Sequence, residues 1–258
     1  MDTLAQTPLD EDRLYKFKNR YLIYSIRKRP ESKKVVFVFS GVDATAAFCR
    51  MSYYGVREEL DATVVHVMDH FGAHGSYFLS IAGDQQIRNA IIGLVRHVQG
   101  ELSLTNAETY FVGTSKGGTS ALLVSLMVGG GQVIAGEPQI RLGDFIYSPK
   151  WEQLEQWRAL AYAILGRVSS DDKEVLNRLI SEIIERYMPT YRGRVQILYG
   201  NRTGYWSGHI SHLCEQAESL GMRQAFDLIE GDFADHGEVV APFLALLKER
   251  VPYTPAED

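Results

Sequence analysis

The chain has 258 residues, of which 45% are hydrophobic, enough for one large α/β domain or two small ones. Its formal net charge of −5, with both signs mixed and no long basic run, argues against a nucleic-acid partner. No run reaches the roughly eighteen apolar residues of a membrane span, and the polar start lacks a signal peptide's apolar run, so we expect a soluble, cytoplasmic protein.

Four predicted strands and two predicted helices precede the segment that carries the central motif of the sequence. Residues 14–27 alternate apolar and charged side chains around a central turn, which is typical of an antiparallel hairpin. Residues 35–39 and 63–68 are continuous β-branched and aromatic runs, as expected of strands that are buried on both faces. Apolar side chains recur at helical spacing over 84–99, and Gly100 is expected to end that helix.

The loop that follows residues 35–39 is a candidate part of a catalytic site. It reads Ser-Gly-Val-Asp over 40–43 and is followed by a predicted short helix within 44–59. In enzymes with a strand–turn–helix nucleophile motif, this loop carries the second backbone donor for an oxyanion, which here is the Val42 amide. An ordinary strand-to-helix turn explains the same residues equally well.

The histidines that follow the strand at 63–68 do not predict a metal site. His66, His70 and His74 are four residues apart, but that spacing on a strand and a loop does not bring ligands together. No cysteine or carboxylate completes a set of ligands around them. We therefore predict neither a metal nor a cofactor.

The central motif is G-x-S-x-G at 113–117, between an apolar strand at 110–112 and a helical run at 121–127. Strand, sharp turn and helix around this motif form a nucleophile elbow. The turn strains the backbone, and glycines two residues on either side avoid collisions with the strand and the helix. It also leaves the amide of Lys116 at a helix N-terminus, facing a developing oxyanion. We predict Ser115 as the nucleophile and the Lys116 amide as an oxyanion donor.

The second half of the chain continues the alternation of strands and helices. A strand at 132–136 follows the glycine loop at 129–131, and the pattern predicts a mostly parallel sheet with helices on both faces. Residues 150–192 interrupt this alternation with two amphipathic helical stretches. We interpret them as a lid-like or cap insert within a single domain of residues 1–258; extra packing helices on the sheet edge are the alternative.

The final strand and helix frame the predicted catalytic base. A strand at 195–199, a helix at 207–220, a strand at 225–229 and a helix at 238–250 complete the chain. His236 lies on the loop between the last strand and the last helix, which returns to the sheet edge that carries the elbow. The pattern predicts that His236 accepts the Ser115 proton and then returns a proton to the leaving group.

The acidic partner of His236 is less sharply indicated. The acid usually follows the strand that here ends at 199, but 201–204 contains no carboxylate. The substitutes are Glu137, directly after the strand at 132–136, then Asp144, and Asp232 on the histidine loop. We choose Glu137, and a Ser–His dyad without an acid remains open.

Two adjacent aromatic residues are candidates for substrate binding. Tyr205 and Trp206 follow the strand at 195–199 and, by position, lie with His209 on the same side of the sheet. Aromatic faces stack well on sugar rings, and the same residues equally well form the wall of a pocket.

Several segments together carry a resemblance to a known group of proteins. They are Gly113-Thr-Ser-Lys-Gly-Gly, Gly136-Glu-Pro-Gln-Ile, Leu142-Gly-Asp144-Phe, Tyr205-Trp-Ser-Gly-His209-Ile and Asp235-His236-Gly-Glu. Over about residues 34 to 250 the chain resembles bacterial α/β-hydrolase-fold proteins of capsular-polysaccharide biosynthesis, and more distantly the accessory Sec-system proteins that modify glycoprotein adhesins.

The resemblance implies an α/β-hydrolase fold and a Ser–His site for acyl transfer on a glycan or glycoconjugate, acetyl transfer among the options. The enzyme would be an esterase or an O-acyltransferase. Because the usual acid position is empty, the rival hypothesis is a non-catalytic scaffold or binding protein within a polysaccharide biosynthesis or export assembly.

Overall fold

The computed structural model describes residues 12–42, 49–151, 155–169 and 171–252, and its centre is an eight-stranded sheet. The strands are β1 (Asp12–Phe17), β2 (Arg20–Arg27), β3 (Val35–Phe39), β4 (Thr63–Met68), β5 (Thr109–Thr114), β6 (Gly130–Gly136), β7 (Arg192–Gly200) and β8 (Phe226–Gly231). Their spatial order is β1-β2-β4-β3-β5-β6-β7-β8. β1 and β2 form the antiparallel edge, and β4-β3-β5-β6-β7-β8 are parallel. The predicted hairpin and the mostly parallel sheet are both confirmed.

Helices cover both faces of this sheet. Within the described residues they are α1 (Gln86–Leu102), α2 (Lys116–Val128), α3 (Leu142–Ile146), α4 (Glu155–Leu165), α5 (Asp172–Tyr187), α6 (Ser211–Ser219) and α7 (Val240–Arg250). Successive residues of a strand face opposite sides, so Phe37 and Phe39 of β3 join the core that includes α1, α2 and α5. Val36 and Val38 join a second core with Phe243 of α7. None of the described helices is long and apolar enough to cross a membrane.

Two boundaries differ from the sequence predictions, the end of α1 and the start of β6. α1 continues past Gly100 to Leu102 and ends where Ser103 adopts a left-handed conformation (φ 56°). Gly130 and Gly131, predicted as loop, belong to β6 because they pair with the first residues of β7. A side chain at Gly131 would press against Phe111, with 2.5 Å between its Cβ and the ring, so glycine is required there.

In the described part of residues 150–192, the predicted helical stretch consists of α4, α5 and short 3-10 turns. α5 packs against α2, and its apolar side, with Leu176, Ile180 and Ile184, is fully buried in the larger core. The end of α4 is fixed to the loop before α1, because Ala82 and Gly83 donate their amides to the carbonyls of Ala163 and Ile164 at 2.8 Å. The role of this insert as a lid stays a prediction.

The short helix predicted within 44–59 lies partly outside the described residues, at 44–48. The described remainder contains a 3-10 helix, Tyr54–Glu58, that begins after Tyr53 in a left-handed conformation (φ 58°). Val56 of this turn is buried in the core on the α7 side of the sheet. The turn therefore closes the β3–β4 connection onto the sheet.

Candidate active site

Ser115 stands on a sharp turn between β5 and α2. Its backbone has φ 55° and ψ −125°, a combination that a non-glycine residue rarely adopts. A Cβ at Gly113 would lie 2.6 Å from the backbone of Gly117, and one at Gly117 would lie 2.2 Å from the carbonyl oxygen of Phe39. The two glycines are therefore required by the close approach of strand, turn and helix, as the motif predicted.

His236 and Glu137 come together at the carboxyl edge of the sheet. Their side chains meet with 2.5 Å between Nδ1 of the imidazole and Oε2 of the carboxylate, although 99 residues separate them in sequence. Glu137 is completely buried, whereas two fifths of the His236 side chain is exposed. Because a carboxylate accepts, Nδ1 carries the proton and Nε2 faces the pocket with its lone pair.

The position of Glu137 results from the pairing of β6 with β7. Glu137 directly follows β6, and its amide donates to the carbonyl of Leu198 in β7 at 2.8 Å. Its other carboxylate oxygen, Oε1, accepts from the amide of Gly200 at 3.1 Å and from the hydroxyl of Thr203 at 2.5 Å. The loop after β7 thus supplies donors to a carboxylate that comes from the neighbouring strand. Glu137 also has a positive φ of 45°, a strained backbone of the kind that clusters at functional sites.

The two other acidic candidates pair with other side chains and not with His236. Asp144 forms ion pairs with Arg141 at 2.6 Å and with Lys173 at 3.1 Å. Asp232 is an exposed side chain that pairs with Arg202 at 3.2 Å. No hydrogen bond or ion pair joins either carboxylate to His236 in the described part of the chain.

A pocket of about 690 Å³ opens over Ser115 and His236. Aromatic side chains line part of it, and polar groups such as Thr203, Asp144 and Ser148 line the rest. Gly41 and Val42 also line it, so the predicted oxyanion loop faces the nucleophile. The amide of Gly41 donates to Ser52 Oγ and the amide of Ser52 donates to Ser40 Oγ, both at 3.1 Å, which holds this loop in place.

Tyr205 and Trp206 do not both belong to the pocket. Tyr205 is buried, stacks on His236 with ring centroids 4.7 Å apart, and brings its hydroxyl to 3.4 Å from His236 Nε2. Trp206 is exposed, lies against Tyr199 and does not line the pocket. The two residues stand where the π-helix Trp206–Ile210 begins, and successive helical side chains point in different directions. Tyr205 thus lines the pocket beside His236 and Trp206 lies outside its lining, while the binding of substrate by either residue stays a prediction.

A buried ion pair behind the elbow was missed by the sequence analysis. Lys116 and Asp69 are both almost completely buried, with 3.1 Å between Nζ and Oδ2. Asp69 also accepts from the amides of Ser76 and Tyr77, both at 2.8 Å. The pair ties the first residue of α2 to the loop after β4. A lysine within a glycine-rich elbow was visible in the sequence, but its distant partner was not.

Breaking this ion pair should destabilise the fold. We expect Lys116→Met to lower the free energy of unfolding by about 3–5 kcal/mol, because it leaves the Asp69 carboxylate buried without its counter-charge. The measurement is urea denaturation of the variant beside the wild type. The control is Glu59→Gln at the half-exposed pair with Lys248, which should cost less than about 1 kcal/mol. Equal losses of unfolding free energy for the two substitutions would contradict the role of Lys116 as the buried counter-charge of Asp69.

Two buried histidines are held neutral by their surroundings. Burial lowers the pKa of His66 and of His209 to about 4 each. His66 Nε2 lies 3.2 Å from the carbonyl of Tyr53, to which it donates. His209 lines the pocket, and its Nδ1 accepts from the Arg141 amide at 3.2 Å, which leaves the proton on Nε2. No group of three or more possible metal ligands occurs among the described residues.

These histidines predict a loss of stability in acid. Their pKa values in the folded protein lie below the unfolded value near 6.5, so the unfolded chain binds more protons between about pH 6.5 and 4. Each should lower the free energy of unfolding by about 2 kcal/mol between pH 7.5 and pH 5.

His66→Gln tests this expectation by urea denaturation at the two pH values. The glutamine amide still donates toward Tyr53 but does not titrate. The loss of unfolding free energy between pH 7.5 and pH 5 should therefore shrink by the contribution of one histidine, about 2 kcal/mol. The exposed His212→Gln is the control and should leave the loss unchanged. An unchanged loss in His66→Gln would contradict the buried neutral state.

The described topology, with a nucleophile elbow after β5 and helices on both faces, is the α/β-hydrolase fold. No protein-family model and no curated protein matches the chain. Solved structures do match it. The capsule O-acetyltransferase of Neisseria meningitidis serogroup A, in a mutant form in complex with CoA, gives a TM-score of 0.71 at 17% identity and covers 96% of this chain and 97% of its own.

Two further solved structures extend the comparison. The glycosylation-associated protein complex Gap123 from Streptococcus agalactiae gives a TM-score of 0.77 at 15% identity; the match covers 93% of this chain and 46% of that chain. An esterase from the fungus Rhizomucor miehei gives a TM-score of 0.57 at 13% identity, and the match covers 93% of this chain and 82% of the esterase chain. At these identities the similarity establishes the shared fold.

Proposed function

We propose that this protein is a serine-dependent acyltransferase or esterase that forms an acyl-enzyme on Ser115 and acts on a glycan or glycoconjugate. The observation that carries the proposal is the 2.5 Å contact between His236 and the buried Glu137, in the pocket that contains Ser115 on its elbow. A carboxylate on Nδ1 leaves Nε2 free to accept a proton, which is the tautomer that a general base requires.

In the proposed reaction His236 Nε2 takes the Ser115 proton as Oγ bonds to the acyl carbon. The carbonyl electron pair moves to its oxygen, which the amides of Lys116 and Val42 stabilise. The leaving group then departs with the proton from His236, and the acyl group remains on Ser115. Water or a sugar hydroxyl loses its proton to His236 and attacks the acyl-enzyme, and Oγ recovers the proton. Glu137 stabilises the imidazolium formed in each half-reaction.

The acetyl group and the glycan acceptor are supported by the structural relatives. One of these is a capsule O-acetyltransferase, and another belongs to a glycosylation-associated complex. The aromatic and polar lining of the pocket suits a sugar ring, which presents apolar faces and hydroxyl groups. Because the capsule enzyme was also solved in complex with CoA, acetyl-CoA is the first thioester donor to test.

The test combines active-site labelling with two acyl donors. A fluorophosphonate probe should modify Ser115, located by mass spectrometry of the tryptic peptides, because only an activated serine reacts with it. p-Nitrophenyl acetate and acetyl-CoA, each with and without oligosaccharide acceptors, then separate hydrolysis from transfer.

A second candidate function is a non-catalytic subunit of a glycan-modifying assembly. The similarity to the Gap123 complex favours it, and this chain spans less than half of that relative. A wild-type protein that neither labels at Ser115 nor consumes either donor would select this candidate over the enzyme.

A further inference from the structure

Gln139 is a buried residue whose amide reaches the proposed nucleophile. Its side chain is 1% exposed, and its Nε2 donates to Ser115 Oγ at 3.0 Å. The backbone is fixed by Thr119, whose hydroxyl accepts from the Gln139 amide at 2.7 Å and lies 3.1 Å from the Gln139 carbonyl oxygen. The side-chain amide is therefore held against Ser115 from a rigid position beside α2.

Tyr77 decides which end of this amide faces Ser115. The Tyr77 hydroxyl is buried and lies 2.5 Å from Gln139 Oε1. It has no other hydrogen-bond partner among the residues that the structure describes. If the amide were reversed, Tyr77 would accept from Nε2, and its own proton would lack an acceptor in the interior, at a cost of about 1–3 kcal/mol. Tyr77 therefore keeps the oxygen toward itself and the NH₂ group toward Ser115.

The orientation of the amide fixes the direction of the Ser115 proton. A serine hydroxyl has one proton and two acceptor sites, and the Gln139 N–H occupies one of the acceptor sites. The Ser115 proton therefore points away from Gln139, toward the side of the pocket that holds His236 and the Tyr205 hydroxyl, which is the other hydrogen-bond partner of Ser115. In the reversed orientation Gln139 Oε1 would accept this proton and withhold it from the base.

We propose that Gln139 is a catalytic residue that directs the Ser115 proton to His236 and stabilises Oγ when the acyl group leaves it. The proposal rests on the function proposed above. When the acyl-enzyme is resolved, the bond between the acyl carbon and Oγ breaks and its electron pair moves to Oγ, which takes the proton from His236. The Gln139 N–H donates to Oγ at that moment, and Gln139 neither gains nor loses a proton.

Two substitutions of similar shape separate these roles. Gln139→Met removes the donor, and Gln139→Glu replaces it with a carboxylate that accepts the Ser115 proton. We expect Gln139→Met to slow fluorophosphonate labelling of Ser115 by about 10- to 100-fold, because it removes one hydrogen bond to a group that gains charge. The kcat for p-nitrophenyl acetate should fall by about the same factor, with little change in KM. Gln139→Glu should be slower still. Tyr77→Phe, which leaves the amide free to reverse, should show a smaller loss.

Matched measurements keep the outcome interpretable. Gln224→Glu makes the same chemical change on the surface and should label at the wild-type rate. Thermal unfolding of every variant identifies losses caused by misfolding, and the uncharged Gln139→Met decides the case if Gln139→Glu unfolds. Folded Gln139→Met protein that labels as fast as wild type would overturn the role of Gln139. Wild-type protein that does not label at Ser115 would instead overturn the proposed function.

Discussion

Ser115→Ala should abolish turnover of any acyl donor that the wild type accepts, slowing the reaction by a factor of about 10³ or more, as in other Ser–His systems. The reason is the loss of the atom that forms the acyl-enzyme. We expect the free energy of unfolding to change by only about 1 kcal/mol, because the hydroxyl contributes hydrogen bonds with Gln139 and Tyr205 whose groups also contact each other. The Gln139 amide keeps the Tyr205 hydroxyl within 3.5 Å.

A serine one turn further along α2 provides the control. Ser120 is buried, and its hydroxyl has no hydrogen-bond partner among the described residues. Ser120→Ala should retain wild-type turnover. His236→Ala should lose about as much as Ser115→Ala, and the double variant little more, because the two residues act as one unit. Turnover that survives Ser115→Ala would show that another residue is the nucleophile.

Glu137→Gln should lower kcat by about 10³- to 10⁴-fold through the tautomer of His236. The Gly200 amide can only donate, and it faces one end of the Glu137 side chain. A glutamine must therefore turn its oxygen toward Gly200 and its NH₂ group toward His236 Nδ1. That contact deprotonates Nδ1 and moves the proton to Nε2, where the base cannot accept from Ser115.

The proton position gives this prediction a readout that does not depend on activity. Nitrogen NMR of labelled histidine should show Nδ1–H at His236 in the wild type and Nε2–H in Glu137→Gln. Asp232→Asn and Asp144→Asn remove the two carboxylates that contact other residues, and each should change kcat by no more than a few-fold. If Asp144→Asn or Asp232→Asn matched Glu137→Gln in its loss, the acid would be assigned to the wrong residue.

Several contacts around Ser115 could not be predicted from sequence because they join distant residues of ordinary type. The Lys116–Asp69 pair spans 47 positions and the Tyr77–Gln139 hydrogen bond spans 62. A lone Gln, Tyr or Asp in a loop carries no periodicity or motif that would single it out. The exposed position of Trp206 could not be predicted for a related reason, because the π-helix at 206–210 sets the direction of its side chain and no local sequence pattern indicates that helix.

The sequence alone determined the features that depend on consecutive residues. The elbow is one, because its motif spans five consecutive residues and a Cβ at Gly113 would collide with Gly117 itself; the collision of Gly117 with the Phe39 carbonyl, by contrast, is a tertiary contact. The parallel strands are another, since burial on both faces requires unbroken apolar runs such as that of β3. Only the tertiary structure decided which carboxylate meets His236, because the pairing of β6 with β7 brings the Glu137 side chain to donors that follow β7. Sheet order depends on the packing of the whole domain, so no local pattern records it.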